Sequence, residues 1–176
     1  MSAVRQVALE AGERLVFAVH KGDAGLLSGD EMQATVDIGL LALRVASGHY
    51  YGLDDGHYYN VTSTAAASFD AARTQAAAQP AVAGAAGYLA TPSTSAAARI
   101  AGALTQLAKD ANADTNYTWV GVRQTSSTSE PAGNWFWTDG PEAGTPFIGT
   151  WNTGEPNNAS GGEHYGSMYY LGGFND

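Results

Sequence analysis

Residues 141 to 162 are rich in Gly, Pro, Asn and Thr, so this long stretch reads as an irregular loop rather than a helix or strand. A loop of that length inside a compact domain has a function or an ion to hold it. The residues from Glu155 to Asp176 supply the means. Glu155, Asn157, Glu163, Asn175 and Asp176 all carry side-chain oxygens and are spread over two loop-like stretches with a Tyr-rich run between them. Oxygen-only donor sets suit a hard cation such as calcium, which takes ~6–8 oxygens in flexible geometry. The chain has no Cys and its His residues are isolated, which gives a zinc or iron–sulfur site little support.

The segment Trp151-Asn152-Thr153-Gly154-Glu155-Pro156-Asn157 resembles the Trp…Glu-Pro-Asn signature of C-type lectin-like domains. Phe174-Asn175-Asp176 is similar to that family's Trp-Asn-Asp, with Phe for Trp, and Glu163 at +8 and Asn175 at +20 from Glu155 keep the family spacing. Upstream, Trp119-Val120-Gly121 resembles the family's Trp-Ile-Gly core strand, and Gly87-Tyr88-Leu89-Ala90-Thr91 the strand before its second helix. The matches run from about Gly56 to Asp176. The resemblance implies an α+β, C-type lectin-like fold with two helices, small antiparallel sheets and a long calcium-binding loop. It also implies a cis Glu155–Pro156 bond that turns the Glu155 and Asn157 side chains to the same side.

By the same resemblance, Glu155, Asn157, Glu163, Asn175 and Asp176 are Ca2+ ligands, and Glu155, Asn157, Glu163 and Asn175 also bind carbohydrate. Two vicinal sugar hydroxyls would complete the ion's shell, donating to carboxylates and accepting from Asn amides. The family's Glu-Pro-Asn form goes with mannose, glucose or fucose-like glycans. Asn158 is a candidate auxiliary ligand and His164 a candidate sugar contact. His164 stands where the family often has Asp for a second calcium. The alternative reading is a calcium-stabilised lectin-like domain that recognises a protein or an ice surface.

Composition narrows the partners. With a net charge of −9 and only 8 Lys plus Arg, the chain lacks the basic cluster that nucleic acid requires. No apolar run approaches the ~20 residues that span a bilayer, which argues against membrane insertion. The absence of Cys matches cysteine-free bacterial relatives of the resembled family, and an acidic surface suits an extracellular or cell-surface protein, such as a secreted adhesin. The segment Met1 to Gln6 lacks a signal-peptide pattern, and the chain reads as a piece of a longer protein, other domains of which are potential partners. An enzyme is not expected. Glu155 and Glu163 are conceivable as a hydrolase pair, but that leaves Asn157, Asn175 and Asp176 unexplained, and no nucleophile elbow, metalloprotease motif or phosphate loop is present.

Along the chain, residues 1–52 read as a β-rich extension or the tail of an upstream domain, with apolar runs at Leu15–Val19 and Thr35–Val45 and turn carboxylates at Asp23, Asp30, Glu31 and Asp37. Residues 53–176 read as the lectin-like domain, truncated before its last strand, which predicts an exposed edge near Tyr58–Val61 and a fraying final ligand. The sequence predicts a first helix over 65–79, capped by Ser63 or Thr64 and stopped by Pro80. A second helix is predicted over 96–109, capped by Ser93 or Ser95, with Ile100, Ala103, Leu104 and Leu107 as its apolar stripe. Strands are predicted at Tyr117–Arg123, Asn134–Trp137 and Glu163–Leu171. Trp119, Trp135, Trp137 and Trp151 are expected to be core residues.

Overall fold

A computed structural model describes residues 42–45, 48–62, 64–126 and 130–176. The run at Leu15–Val19 and the carboxylates Asp23, Asp30, Glu31 and Asp37 lie outside these residues. The run predicted at Thr35–Val45 is described only from Ala42. Among the described residues the architecture is α+β, with two α-helices and two small antiparallel sheets, as expected.

The first sheet has the order β1-β2-β3, formed by Ala42–Arg44, Tyr50–Gly52 and Tyr58–Tyr59. Tyr50 faces Tyr59 and Tyr51 faces Tyr58, so β2 and β3 form a hairpin across residues 53–57. The turn between β2 and β3 uses Gly56 at φ 73°, the left-handed conformation that an Asp-Gly turn needs. Asp55 fastens it: its carboxylate accepts from the His57 amide at 3.1 Å and from the Tyr59 hydroxyl at 2.5 Å.

Helix α1 spans Phe69–Ala77, shorter than expected. Ser68 is its cap, accepting from the Ala71 amide at 3.2 Å. The residues before it do not join the helix: the Ala66 carbonyl accepts from the Trp119 indole at 3.4 Å, and the Ala65 carbonyl from the Gln75 amide at 3.5 Å. Helix α2 spans Ser95–Ala111, and Thr94, not Ser93 or Ser95, caps it by accepting from the Ala97 amide at 3.0 Å. Its buried face is rotated from the predicted stripe. Ile100 and Leu104 are buried with Ala97, Ala101, Gly102 and Thr105, whereas Leu107 is exposed. Gly102 explains the rotation. A Cβ there would lie 3.2 Å from the Gly172 Cα, so the helix rests its Gly face directly on a hairpin backbone.

The second sheet has the order β5-β4-β6-β7, formed by Trp135–Trp137, Tyr117–Gln124, Tyr165–Tyr169 and Phe174–Asn175. The expected strand at Glu163–Leu171 is narrower, because Tyr170 and Leu171 form the turn into β7 and Glu163 and His164 stay in the loop. The Gly87–Thr91 segment joins no sheet; it reaches β4 through the Gly121 amide, which donates to the Ala90 carbonyl at 2.7 Å. A Cβ at Gly121 would meet the Leu89 carbonyl at 2.8 Å, so only Gly permits that approach.

The principal core gathers Val120, Val122, Trp135, Trp137, Met168 and Phe174 under Ala101 of α2, with Phe147 and Trp151 packed against it. Trp135 and Trp137 are buried core residues as expected, while Trp119 and Trp151 are half-buried at its margins. The final residues are paired and buried. Phe174 pairs with Met168, bridges Trp151 in parallel and is 1% exposed, and Asp176 is 6% exposed. The reason is aromatic packing: the Phe174 ring lies edge-on to Phe147 at 4.8 Å and to Trp137 at 6.0 Å. Phe174→Ala should therefore cost about 3–5 kcal/mol, read as a lower urea midpoint, while Thr94→Ala should cost about 1 kcal/mol through its cap.

Candidate functional site

The long loop is fixed at both ends before any side chain of the site is placed. On its N-terminal side the Phe174 amide donates to the Thr150 carbonyl at 3.1 Å, and the Asn152 amide donates to the Phe174 carbonyl at 2.8 Å. The loop thus lies against β7, next to Asn175 and Asp176. Gly173 makes room for it, since a Cβ there would run into the Asn152 side chain. A turn at Thr153-Gly154, closed by the Glu155 amide donating to the Asn152 carbonyl at 3.0 Å, leads into the cis Glu155–Pro156 bond.

Beyond the proline, Asp176 takes over. Its two carboxylate oxygens accept from successive backbone amides, Asn157 at 3.0 Å and Asn158 at 2.8 Å. Asn158 then turns the chain in the left-handed conformation at φ 49° and accepts from the Glu163 amide through its Oδ1 at 3.1 Å. Glu163 reciprocates, its Oε2 accepting from the Ala159 amide at 2.6 Å. These reciprocal bonds enclose a tight turn at Ala159–Gly161, where Ser160 is also left-handed at φ 60°. The Asn175 amide donates to the Asp176 carbonyl at 2.5 Å.

The fold brings Glu155 into contact with Asp176 and within range of the Glu163 charge, with Asn157 and Asn175 their near neighbours on the chain. Glu155 is the unsettled member: its Oε2 is buried and has no hydrogen-bond partner. Burial first, then hydrogen-bonding contact with the Asp176 carboxyl and the charges of Asp176 and Glu163, raise its pKa above the usual carboxylate value, against the Asn157 amide that lowers it. Oxygens alone make up this donor set, one of them buried and unpaired, which suits a hard cation. The carboxylates do not suffice by themselves. Among the described residues no group of three or more His, Cys, Asp or Glu is placed to hold a metal.

A second cis Glu-Pro bond, Glu130–Pro131, lies next to this loop and was not read from the sequence as part of the site. The His164 Nδ1 lies 3.1 Å from the Gln124 Oε1 and 3.4 Å from the Glu130 carboxylate. The Gln124 amide donates to the Gly133 carbonyl at 2.9 Å, and the Trp135 indole donates to the Pro131 carbonyl at 2.9 Å. Through Gln124 and His164, β4 and the 130–134 turn support the start of β6 beside Glu163. The signal was available: Glu130-Pro131 repeats the dipeptide Glu155-Pro156.

No family model matches the chain. No curated protein sequence matches it. Among solved structures, that of the C-type lectin CEL-I from Cucumaria echinata is similar at 19% identity, with a TM-score of 0.44, over 61% of this chain and 72% of that one.

The raised Glu155 pKa has a signed consequence for the metal-free protein. A carboxyl whose folded pKa lies above its unfolded value binds its proton more tightly when folded. Its stabilising contribution is then complete below the unfolded pKa and is lost as pH rises through the folded one. Without metal, Glu155→Gln should melt higher than the parent protein at about pH 7 and converge with it near about pH 4, where both carry a neutral side chain. Parallel melting curves across that range would contradict the placement of Glu155.

Proposed function

We infer that this chain is a calcium-dependent carbohydrate-binding domain of the C-type lectin-like kind. The observation that carries the reading is the buried, unpaired Glu155 Oε2, set beside the Asp176 and Glu163 carboxylates in a cis Glu-Pro-Asn loop. Like charges brought together around an unsatisfied oxygen are costly unless a cation neutralises them. Glu155, Asn157, Glu163, Asn175 and Asp176 would hold calcium. Once bound, the ion supplies vacant positions for the vicinal hydroxyls of a sugar. The chain's own part is to aim acceptors and donors at those hydroxyls: Glu155 and Glu163 accept, and the Asn157 and Asn175 amides donate. The Glu-Pro-Asn order supports a mannose, glucose or fucose type of ligand.

The reading is of a binding module and not an enzyme. Its motif accounts for all five oxygen donors, where a hydrolase would require only two of them. The acidic composition supports an extracellular or surface setting, as part of a bacterial adhesin. Calcium at a hundredfold excess over its dissociation constant should stabilise the fold by about 2.7 kcal/mol, and EDTA should remove that gain. In the same conditions a mannose column should retain the protein with calcium and release it with EDTA, and Asn175→Ala should abolish retention. An unchanged melt in saturating calcium together with no retention would sink the reading, and conversion of labelled oligosaccharide to product would replace it with a hydrolase.

A further inference from the structure

An open cleft of about 300 Å³ is walled by Trp135, Phe136, Pro146, Phe147 and Trp151. Its back is rigid. Trp135 meets Trp151 edge-on at 4.9 Å, and Phe147 packs on Trp151 at 4.8 Å. The Phe147 amide donates to the Trp135 carbonyl at 2.9 Å. Phe136 is different from its neighbours. Trp135 and Trp137 are buried in the core, whereas Phe136, alternating with them along β5, is half-buried on the opposite face and bridges Pro146. The core needs Trp135 and Trp137, but it does not account for an aromatic ring at position 136.

Size and chemistry restrict the occupant. The volume is that of a small-molecule site and not of a macromolecular face. Flat aromatic walls with the polar side chain of Asn134 among them suit a ring with an apolar face and a polar edge, and a pyranose has both. Connectivity decides the rest. Trp151 is four residues from Glu155, at most ~14 Å even along a fully extended chain, and the turn at Thr153-Gly154 shortens the span. Trp151 and Glu155 lie on one segment that β7 holds by backbone hydrogen bonds.

We propose that this aromatic cleft is a second saccharide subsite, which stacks an inner pyranose of an oligosaccharide whose terminal residue occupies the cation site. The proposal rests on the carbohydrate-binding reading above and extends it from a single sugar to a short glycan. Phe136 supplies the stacking face, and Ala132, exposed at the cleft wall, marks the place where a long side chain would fill it.

The test compares methyl α-mannoside with α-linked mannotriose by titration calorimetry in calcium, for the parent protein, Ala132→Arg, Phe136→Ala and Phe136→Tyr. The parent should bind the trisaccharide about tenfold more tightly than the monosaccharide, a difference of about 1.4 kcal/mol. Ala132→Arg and Phe136→Ala should lose that gain and keep the monosaccharide affinity, and Phe136→Tyr should retain it. The trisaccharide alone should shift tryptophan emission, because Trp135 and Trp151 line the cleft. Equal trisaccharide affinity in Ala132→Arg and the parent overturns the subsite while leaving the cation site standing. Absence of calcium-dependent binding of either sugar by the parent overturns both.

Discussion

Asp176 ties the last strand of the sheet to the loop that carries the other oxygen donors. Its carboxylate accepts from two consecutive backbone amides just past Pro156, at 3.0 and 2.8 Å. A carboxylate on backbone N–H groups is a charge-assisted interaction, roughly twice as strong as a neutral hydrogen bond. Here it converts an irregular stretch of Gly, Pro and Asn into a shaped wall. Glu155 is carried into contact with Asp176 as a result, and the reciprocal bonds between Asn158 and Glu163 bring the third carboxylate alongside.

The latch depends on the core beneath it. Asp176 is placed because Asn175 and Phe174 are paired with Ser167 and Met168, and Phe174 stays paired because its ring is enclosed by Trp137, Phe147 and Trp151. Two of those rings come from the loop side. The aromatic cluster therefore serves two purposes: it anchors the last strand, and Trp135, Phe147 and Trp151 also wall the cleft. Charge accumulates where the polar loop meets this cluster, and a buried unpaired carboxylate oxygen is the outcome.

Local signals were legible where one residue type has one physical use. Pro80 marked the stop of the first helix, and Asp54-Asp55-Gly56 marked the hairpin turn before Tyr58 and Tyr59. The predicted helix starts were less accurate, since Ser63, Thr64, Ser68, Ser93, Thr94 and Ser95 are all chemically able to cap. The choice fell to Ser68 and Thr94 because each has extended backbone at the first turn and its side chain within reach of the amide three residues on. Leu107 looked like core by periodicity, yet Gly102 lets the helix settle on Gly172 and turns Leu107 outward.

The sequence alone determined which atoms are available: oxygen donors grouped near one end of the chain, a proline where the bond is cis, and aromatic residues dense enough to build a core from few strands. Composition and short-range order suffice for this, because residue chemistry and turn preference are local properties. Only the tertiary structure decided the pairings. That Asp176 holds Asn157 and Asn158, that His164 leans on Gln124 and Glu130, and that Phe136 faces away from its tryptophan neighbours all depend on where distant segments cross. Those crossings follow from burying aromatic surface on both sides of β7, a many-body packing problem that no single stretch of sequence encodes.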